Sequence, residues 1–164
     1  MIKIKNLSVA FENTQIFDNA DISFSKNKIN KVLEDLEILN KKELLIENLS
    51  AGELQKANIA LGLLSGAKLL LLDEPTSNMD LVNQIKTLDI IKKLNQKNIT
   101  CVIVLHDLNL AAVYGDYFIG IAGNKEIISG NRSEFFKEEV LNKIYGINFE
   151  ITKKDNDIHV QIVK

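Results

Sequence analysis

Two apolar stretches constrain this chain more than any other feature: "LLLLDEP" at 69–75 and "CVIVL" at 101–105, separated by a segment whose apolar residues recur at helical spacing. A strand that is apolar without alternation must be buried on both faces. Strand, helix, strand of this kind predicts a right-handed crossover in a parallel sheet, and hence an α/β architecture. The expected strands are Leu69 to Leu72 and 101–105. The helix between them is expected to turn Leu81, Ile85, Leu88 and Leu94 inward.

The flanking segments have different periods. Residues 2–11 alternate through Ile2, Ile4, Leu7, Val9 and Phe11 with a one-residue slip at Asn6, and "QIFDNADISF" alternates again. Together they predict an antiparallel strand pair at the N-terminus. From Lys31 the spacing lengthens to that of a helix reaching about Asn40, with Val32, Leu36 and Leu39 on one face. "LSAGELQKANIALGLLSG" predicts a further helix, started by a Ser50 cap and closed at Gly66, with Leu54, Ala57, Leu61 and Leu64 at helical spacing. A short helix follows His106, "YFIGIAGNKEII" predicts two strands, and "SEFFKEEVLNKIYG" predicts one amphipathic helix from Ser133 to a stop at Gly146. The tail "FEITKKDNDIHVQIV" alternates on both sides of a polar turn, as a hairpin does.

At 164 residues with 46% hydrophobic content the chain has the length of one domain and enough apolar side chains for a core. A net charge of -2 leaves no basic stripe, which excludes nucleic acid as the expected partner. Cys101 lies inside an apolar strand and is expected to be a buried, inert thiol. No apolar run approaches the roughly 18 residues of a membrane span, and the alternating charge of "MIKIKNLSVAF" does not resemble a signal peptide. Any membrane contact is expected to go through another protein.

Asp73 and Glu74 end the first apolar strand. A strand that delivers two carboxylates to its end suits magnesium binding and water activation in nucleotide hydrolysis. Taken alone, Asp73-Glu74-Pro75 could equally be a capped loop. Such chemistry also needs a glycine-rich phosphate loop, G-x-x-x-x-G-K-[ST]. The eight glycines stand at 52, 62, 66, 115, 120, 123, 130 and 146, so none precedes Gly52 and the 164 residues contain no such loop. Lys68, the one lysine near a glycine turn and this strand, is expected to belong to a helix-to-strand turn. Ser50 and the free N–H groups at the start of its helix form an anion-friendly end.

Four segments occur in order: "LSAGE" at 49–53, "LLLLDEP" at 69–75, "SNMD" at 77–80 and "VLHDLNLA" at 104–111. Together they resemble the signature motif, Walker B strand, D-loop and switch histidine of the ATP-binding cassette family, with Ser50 preceding Asp73 by 23 residues and His106 following Glu74 by 32. "HDLNLAAVYGDYFIGIAGNKEIISG" and "EVLNKIYG" are most similar to importer ATPases that energise uptake of iron-siderophore, haem or cobalamin. The resemblance implies ATP and Mg2+ as cofactors. It implies that Asp73 holds the metal, that Glu74 polarises the attacking water and that His106 contacts the γ-phosphate. It places Phe11 where an aromatic stacks on adenine, although a strand Phe is core or surface filler at least as often. It also assigns Ser50, Gly52 and Asp80 to the ATP site, Ser50 and Gly52 facing the nucleotide of the second subunit in a head-to-tail dimer. His159 has no such context and is expected to be a strand residue. Ala51 departs from the usual "LSGGQ", at a cost of about 1 kcal/mol if that position needs a positive φ.

The resemblance covers nearly the whole chain, as that of a cassette whose middle is excised. It implies a P-loop NTPase-like parallel sheet of ABC ATPase type with an N-terminal antiparallel β arm, truncated by loss of the P-loop strand and most of the helical subdomain. The expected organisation is one incomplete domain: a β arm at 1–30, a helical-subdomain remnant at 31–50, the Walker B and switch core at 51–130, and a C-terminal helix and hairpin at 131–164. Loss of three charge-assisted phosphate contacts, each worth roughly 1.5 to 3 kcal/mol, would weaken ATP binding more than a thousandfold. The isolated chain is therefore expected to be inactive as an ATPase. The expected partners are transmembrane permease subunits and a second ABC ATPase subunit, with the chain peripheral to the inner face of the cell membrane. Two alternatives stay open: a non-catalytic subunit that donates its signature motif to a complete cassette, and a degenerate or deleted gene product without function.

Overall fold

The computed structural model describes residues 2–11, 14–155 and 157–163, with the backbone alone for 2–11 and 14–24. The chain order is β1 (Ile2–Phe11), β2 (Thr14–Phe24), α1 (Lys26–Asp35), α2 (Ala51–Leu64), β3 (Leu69–Asp73), α3 (Leu81–Gln96), β4 (Thr100–Val104), α4 (Leu108–Tyr114), β5 (Tyr117–Ile121), β6 (Ile127–Asn131), α5 (Arg132–Phe135), α6 (Glu138–Tyr145), β7 (Phe149–Lys154) and β8 (Asp157–Ile162). The fold is α/β. Two short 3-10 turns, Leu39–Lys41 and Ile46–Asn48, link α1 to α2. The chain divides into two compact units, 1–71 with 76–102 and 72–75 with 103–164.

In the first unit β1 and β2 pair antiparallel, with register shifts between Ile4 and Leu7 and twice more before Ala10. The shift after Ile4 falls at the slip that the alternation marks at Asn6. The first helix begins five residues earlier than the expected Lys31, because Ser25 caps it and accepts a hydrogen bond from Lys28 N. It also stops earlier, at Asp35, and Leu36 and Ile38 drop into the core beyond its end. α2 closes as expected at Gly66, whose φ of +82° suits a residue without a Cβ. On α3 the buried face is Thr87, Leu88, Ile90, Ile91 and Leu94, while Leu81 and Ile85 are exposed. Leu88 and Leu94 are buried as expected, and the apolar stripe fails in the first half of the helix, which nothing covers among the described residues.

β3 and β4 are hydrogen-bonded neighbours joined through α3, and the expected sheet is reduced to this pair among the described strands. Thr100 N donates to Lys68 O at 2.8 Å. The two strands are not buried on both faces: Leu70 is 7% exposed, whereas Leu71 is 73% and Val102 49% exposed. The unbroken apolar pattern predicts two covered faces, whereas among the described residues Leu71, Val102 and Val104 stand uncovered.

The second unit closes around an aromatic cluster. Phe118, Phe135 and Phe136 pack with ring centroids 4.9 to 5.7 Å apart, joined by Ala112, Leu141, Phe149, Ile158 and Val160. Phe135 ends α5 and Phe136 follows it as the C-cap, and both rings enter this core. The single helix expected from Ser133 is broken into α5 and α6 at Phe136–Lys137, where the backbone leaves the helical region at Phe136 ψ 73° and Lys137 ψ 144°. α6 ends at Gly146 in the left-handed conformation, φ +71°. Both hairpins, β5–β6 and β7–β8, are antiparallel with unbroken register.

Candidate functional site

The end of β3 belongs to the second unit, and so does His106. Asp73 is the last strand residue and exposed; Glu74 follows with φ +44°, a left-handed backbone that costs a non-glycine residue of order 1 kcal/mol or more. Pro75 beyond it is fully buried and Thr76 nearly so. The sharp turn therefore presents the carboxylate at the strand end. There His106 Nε2 lies 2.6 Å from Glu74 Oε1. An ionised carboxylate only accepts, so the imidazole donates. A carboxylate can accept from several donors, so Glu74 so engaged can still orient a water, and His106 holds a proton beside it. The structure thus brings together two residues 32 apart that the sequence assigned to one reaction. His106 is largely exposed and Glu74 partly so.

The metal-binding expectation rests on Asp73. Magnesium is typically held by one or two carboxylates, water and substrate phosphates, and an exposed Asp73 beside Glu74 fits the carboxylate part of that set. Among the described residues no group of three or more His, Cys, Asp or Glu could hold a metal ion. The phosphate part does not fit. Gly66 and Gly146 are the glycines with positive φ, each closing a helix, and neither belongs to a phosphate-binding nest.

Ser50, Gly52 and Asp80 lie in the first unit. Ser50 caps α2, and a capping box is complete: Glu53 N donates to Ser50 Oγ, while Ser50 N donates to Glu53 Oε2 at 2.9 Å. Ser50 Oγ also reaches Glu53 Oε2 at 3.0 Å, and Lys41 Nζ stands 3.1 Å from Glu53 Oε1. The backbone hydrogen bond from Ser50, with help from Lys41, holds the Glu53 carboxyl below the usual glutamate range. Glu53 thus engages both the backbone N–H and the hydroxyl of Ser50. Ser50-x-x-Glu53 is a spacing legible in sequence, and it was missed. Ala51 opens the helix without a positive φ, so the conditional cost of replacing glycine is not incurred. A Cβ on Gly52 would meet Met79 Sδ at 3.8 Å and Asn83 Cβ at 4.0 Å, ordinary contacts.

Asp80 caps α3, its Oδ1 accepting from Asn83 N at 2.9 Å and its Oδ2 from Asn83 Nδ2 at 2.8 Å. The first of these bonds does most to lower its carboxyl below the ordinary value. Phe11 ends β1, but its side chain lies outside the described residues. Lys68 sits in the turn between Gly66 and β3, as expected, and its carbonyl serves β4. His159 is exposed on β8. Cys101 is half-buried, and desolvation pushes its thiol up, away from the reactive thiolate.

The ABC transporter family matches residues 3–77. The petrobactin import ATP-binding protein FpuC of Bacillus anthracis is 38% identical over 108 residues, 65% of this chain and 40% of that protein. The iron(3+)-hydroxamate import ATP-binding protein FhuC of Bacillus subtilis is 37% identical over 120 residues, 73% of this chain and 45% of the relative. The ferric enterobactin transport ATP-binding protein FepC of Escherichia coli is 33% identical, with 73% and 44% covered. The chain spans about half the length of the curated relatives it matches. Among solved structures, a metal-chelate type ABC transporter in an inward-facing conformation superposes with a TM-score of 0.75 at 23% identity, covering 86% of this chain and 58% of that one. With the ABC transporter family matched over residues 3–77 and 37% identity to FhuC over 73% of its length, this chain belongs to the ATP-binding cassette family of ABC transporters.

Proposed function

We propose that the chain is an ATP-binding subunit of an ABC importer of the iron-siderophore, haem or cobalamin type, and that it depends on a partner for turnover. The observation that carries this reading is the 2.6 Å contact between Glu74 and His106, which pairs a water-orienting carboxylate with a proton-bearing switch residue. The printed functions of the relatives, petrobactin, iron-hydroxamate and enterobactin import, support the substrate class. No helix among the described residues is long and apolar enough to cross a membrane. Membrane work would therefore go through transmembrane permease subunits, with the chain on the cytoplasmic face.

Because the 164 residues contain no glycine-rich phosphate loop, Asp73 and Glu74 have nothing in the chain that holds phosphates before them. Purified protein with magnesium and millimolar ATP should release no phosphate above background. Release that Glu74→Gln abolishes would overturn this, since another segment would then supply the cradle.

A second reading, donation of the signature helix to a complete cassette, is favoured by the exposed Ser50 at the intact start of α2. In a head-to-tail dimer the partner's loop would face Ser50 and Gly52, while the site bearing Glu74 stays empty. ATPase activity of the mixed complex should then fall about five- to a hundredfold with Ser50→Arg, the loss of about 1 to 3 kcal/mol of phosphate contact. Glu74→Gln should leave it nearly unchanged. The reverse pattern rules out donation.

A further inference from the structure

His106 is largely exposed, so packing does not hold its ring in place. What fixes its backbone is the start of α4. Asp107 caps that helix, its Oδ1 accepting from Asn109 N at 2.8 Å and Leu110 N at 2.9 Å. Asn109 then reaches across 51 residues of sequence to β8. Its Nδ2 donates to Val160 O at 3.1 Å, and its Oδ1 accepts from Val160 N at 2.8 Å.

Val160 stands opposite Ile151 in the β7–β8 ladder. In an antiparallel pair alternate residues send both backbone groups away from the partner strand. Val160 is such a residue, because both of its groups are taken by Asn109. The amide thus acts as a one-residue strand added to the free edge of β8. Ala112, fully buried one turn further on, secures the same helix to the aromatic core.

We propose that Asn109 is a positioning residue for His106, clamping α4 to the C-terminal hairpin so that the imidazole meets Glu74. The β7–β8 hairpin is thereby part of the machinery that sets the Glu74–His106 contact. Only the description of that contact as a working site rests on the proposed function; the clamp itself is a property of the fold. A hydrogen-bonding side chain was needed here because both Val160 groups sit on an open edge, and asparagine alone among short side chains offers a donor and an acceptor in one plane.

The test is the imidazole 15N spectrum of the full chain without nucleotide, at about pH 8, where an ordinary imidazole is neutral. In the unaltered protein the His106 ring should be held as the tautomer protonated at Nε2, and Glu74→Gln should shift its signals. Asn109→Ala should leave the fold intact, judged by the dispersed signals of Phe118 and Phe136, yet let the ring average over both tautomers. Gln161→Ala, which removes only the surface hydrogen bond to Glu150, should leave His106 unchanged. A folded Asn109→Ala protein with unaltered His106 signals overturns the proposal. Should Asn109→Ala not fold, Asn109→Asp carries the test: it keeps the acceptor for Val160 N and loses the donor. A His106 shift in it supports the clamp, and an unmoved His106 overturns it. Because no ATP is involved, these outcomes are independent of whether the importer reading stands.

Discussion

The start of α2 and the end of β3 carry comparable chemistry and are built in opposite ways. The capping box joins Ser50 to Glu53, three residues away, with one added contact from Lys41. The Glu74–His106 contact joins residues 32 apart and depends on a strained backbone at Glu74, on α4, and on the hairpin that Asn109 grips. A site made from neighbours survives whatever happens to the rest of the chain. One made from distant residues lasts only as long as the unit that folds them together.

The largest break of this comparison is Phe136→Ala. Phe136 is fully buried among Phe118, Phe135 and Leu141, and such a truncation costs about 3 to 5 kcal/mol. The second unit should lose its cooperative denaturant transition, and the Glu74–His106 contact should go with it. Amide exchange should still show protection along α2. Collapse of that protection in the same variant would mean that the two ends share one cooperative fold, and the contrast would fail.

A smaller effect isolates the local end. Ser50→Ala removes the cap and should cost about 1 kcal/mol, within the range of roughly 0.5 to 2 kcal/mol for such caps. The loss should be read as faster exchange in the first turn of α2, with the His106 signals unmoved. Comparable in size, and opposite in sign, is relief at the distant end. Glycine adopts φ +44° without the steric cost that Glu74 bears there, so Glu74→Gly should be more stable than Glu74→Gln by about 1 kcal/mol in chemical denaturation. Equal stabilities would show that the turn is unstrained.

The smallest effect is a pH dependence. Glu53 is held below its usual range chiefly by the backbone hydrogen bond from Ser50. A depressed carboxyl contributes stability that is fully present above the unfolded glutamate value, near 4.3, and is lost as pH falls through the lower folded value. Acid titration followed by α2 exchange should show this loss, and Glu53→Gln should remove the acid limb. A titration indistinguishable between the two proteins would leave the capping carboxylate without a role.

Much was legible before any coordinates. The strand–helix–strand order, Ser50 as a cap, Gly66 and Gly146 as helix stops and the C-terminal hairpin all follow from period and from backbone rules that act within a few residues. The order of the four motifs singled out Glu74 and His106, but not that the two side chains touch each other. The chain also states by itself that it holds no glycine-rich phosphate loop. What sequence could not state depends on which surfaces meet. Periodicity says that a face is apolar but not that something covers it, and so Leu71, Val102, Leu81 and Ile85 were expected inside and stand exposed. Nor does it say that the helix expected from Ser133 breaks at Phe136–Lys137, beside the core that Phe135 and Phe136 both enter. Asn109 carries no local signal at all, because the partner that makes its amide useful, the outward edge of Val160, exists only once β8 has folded beside α4.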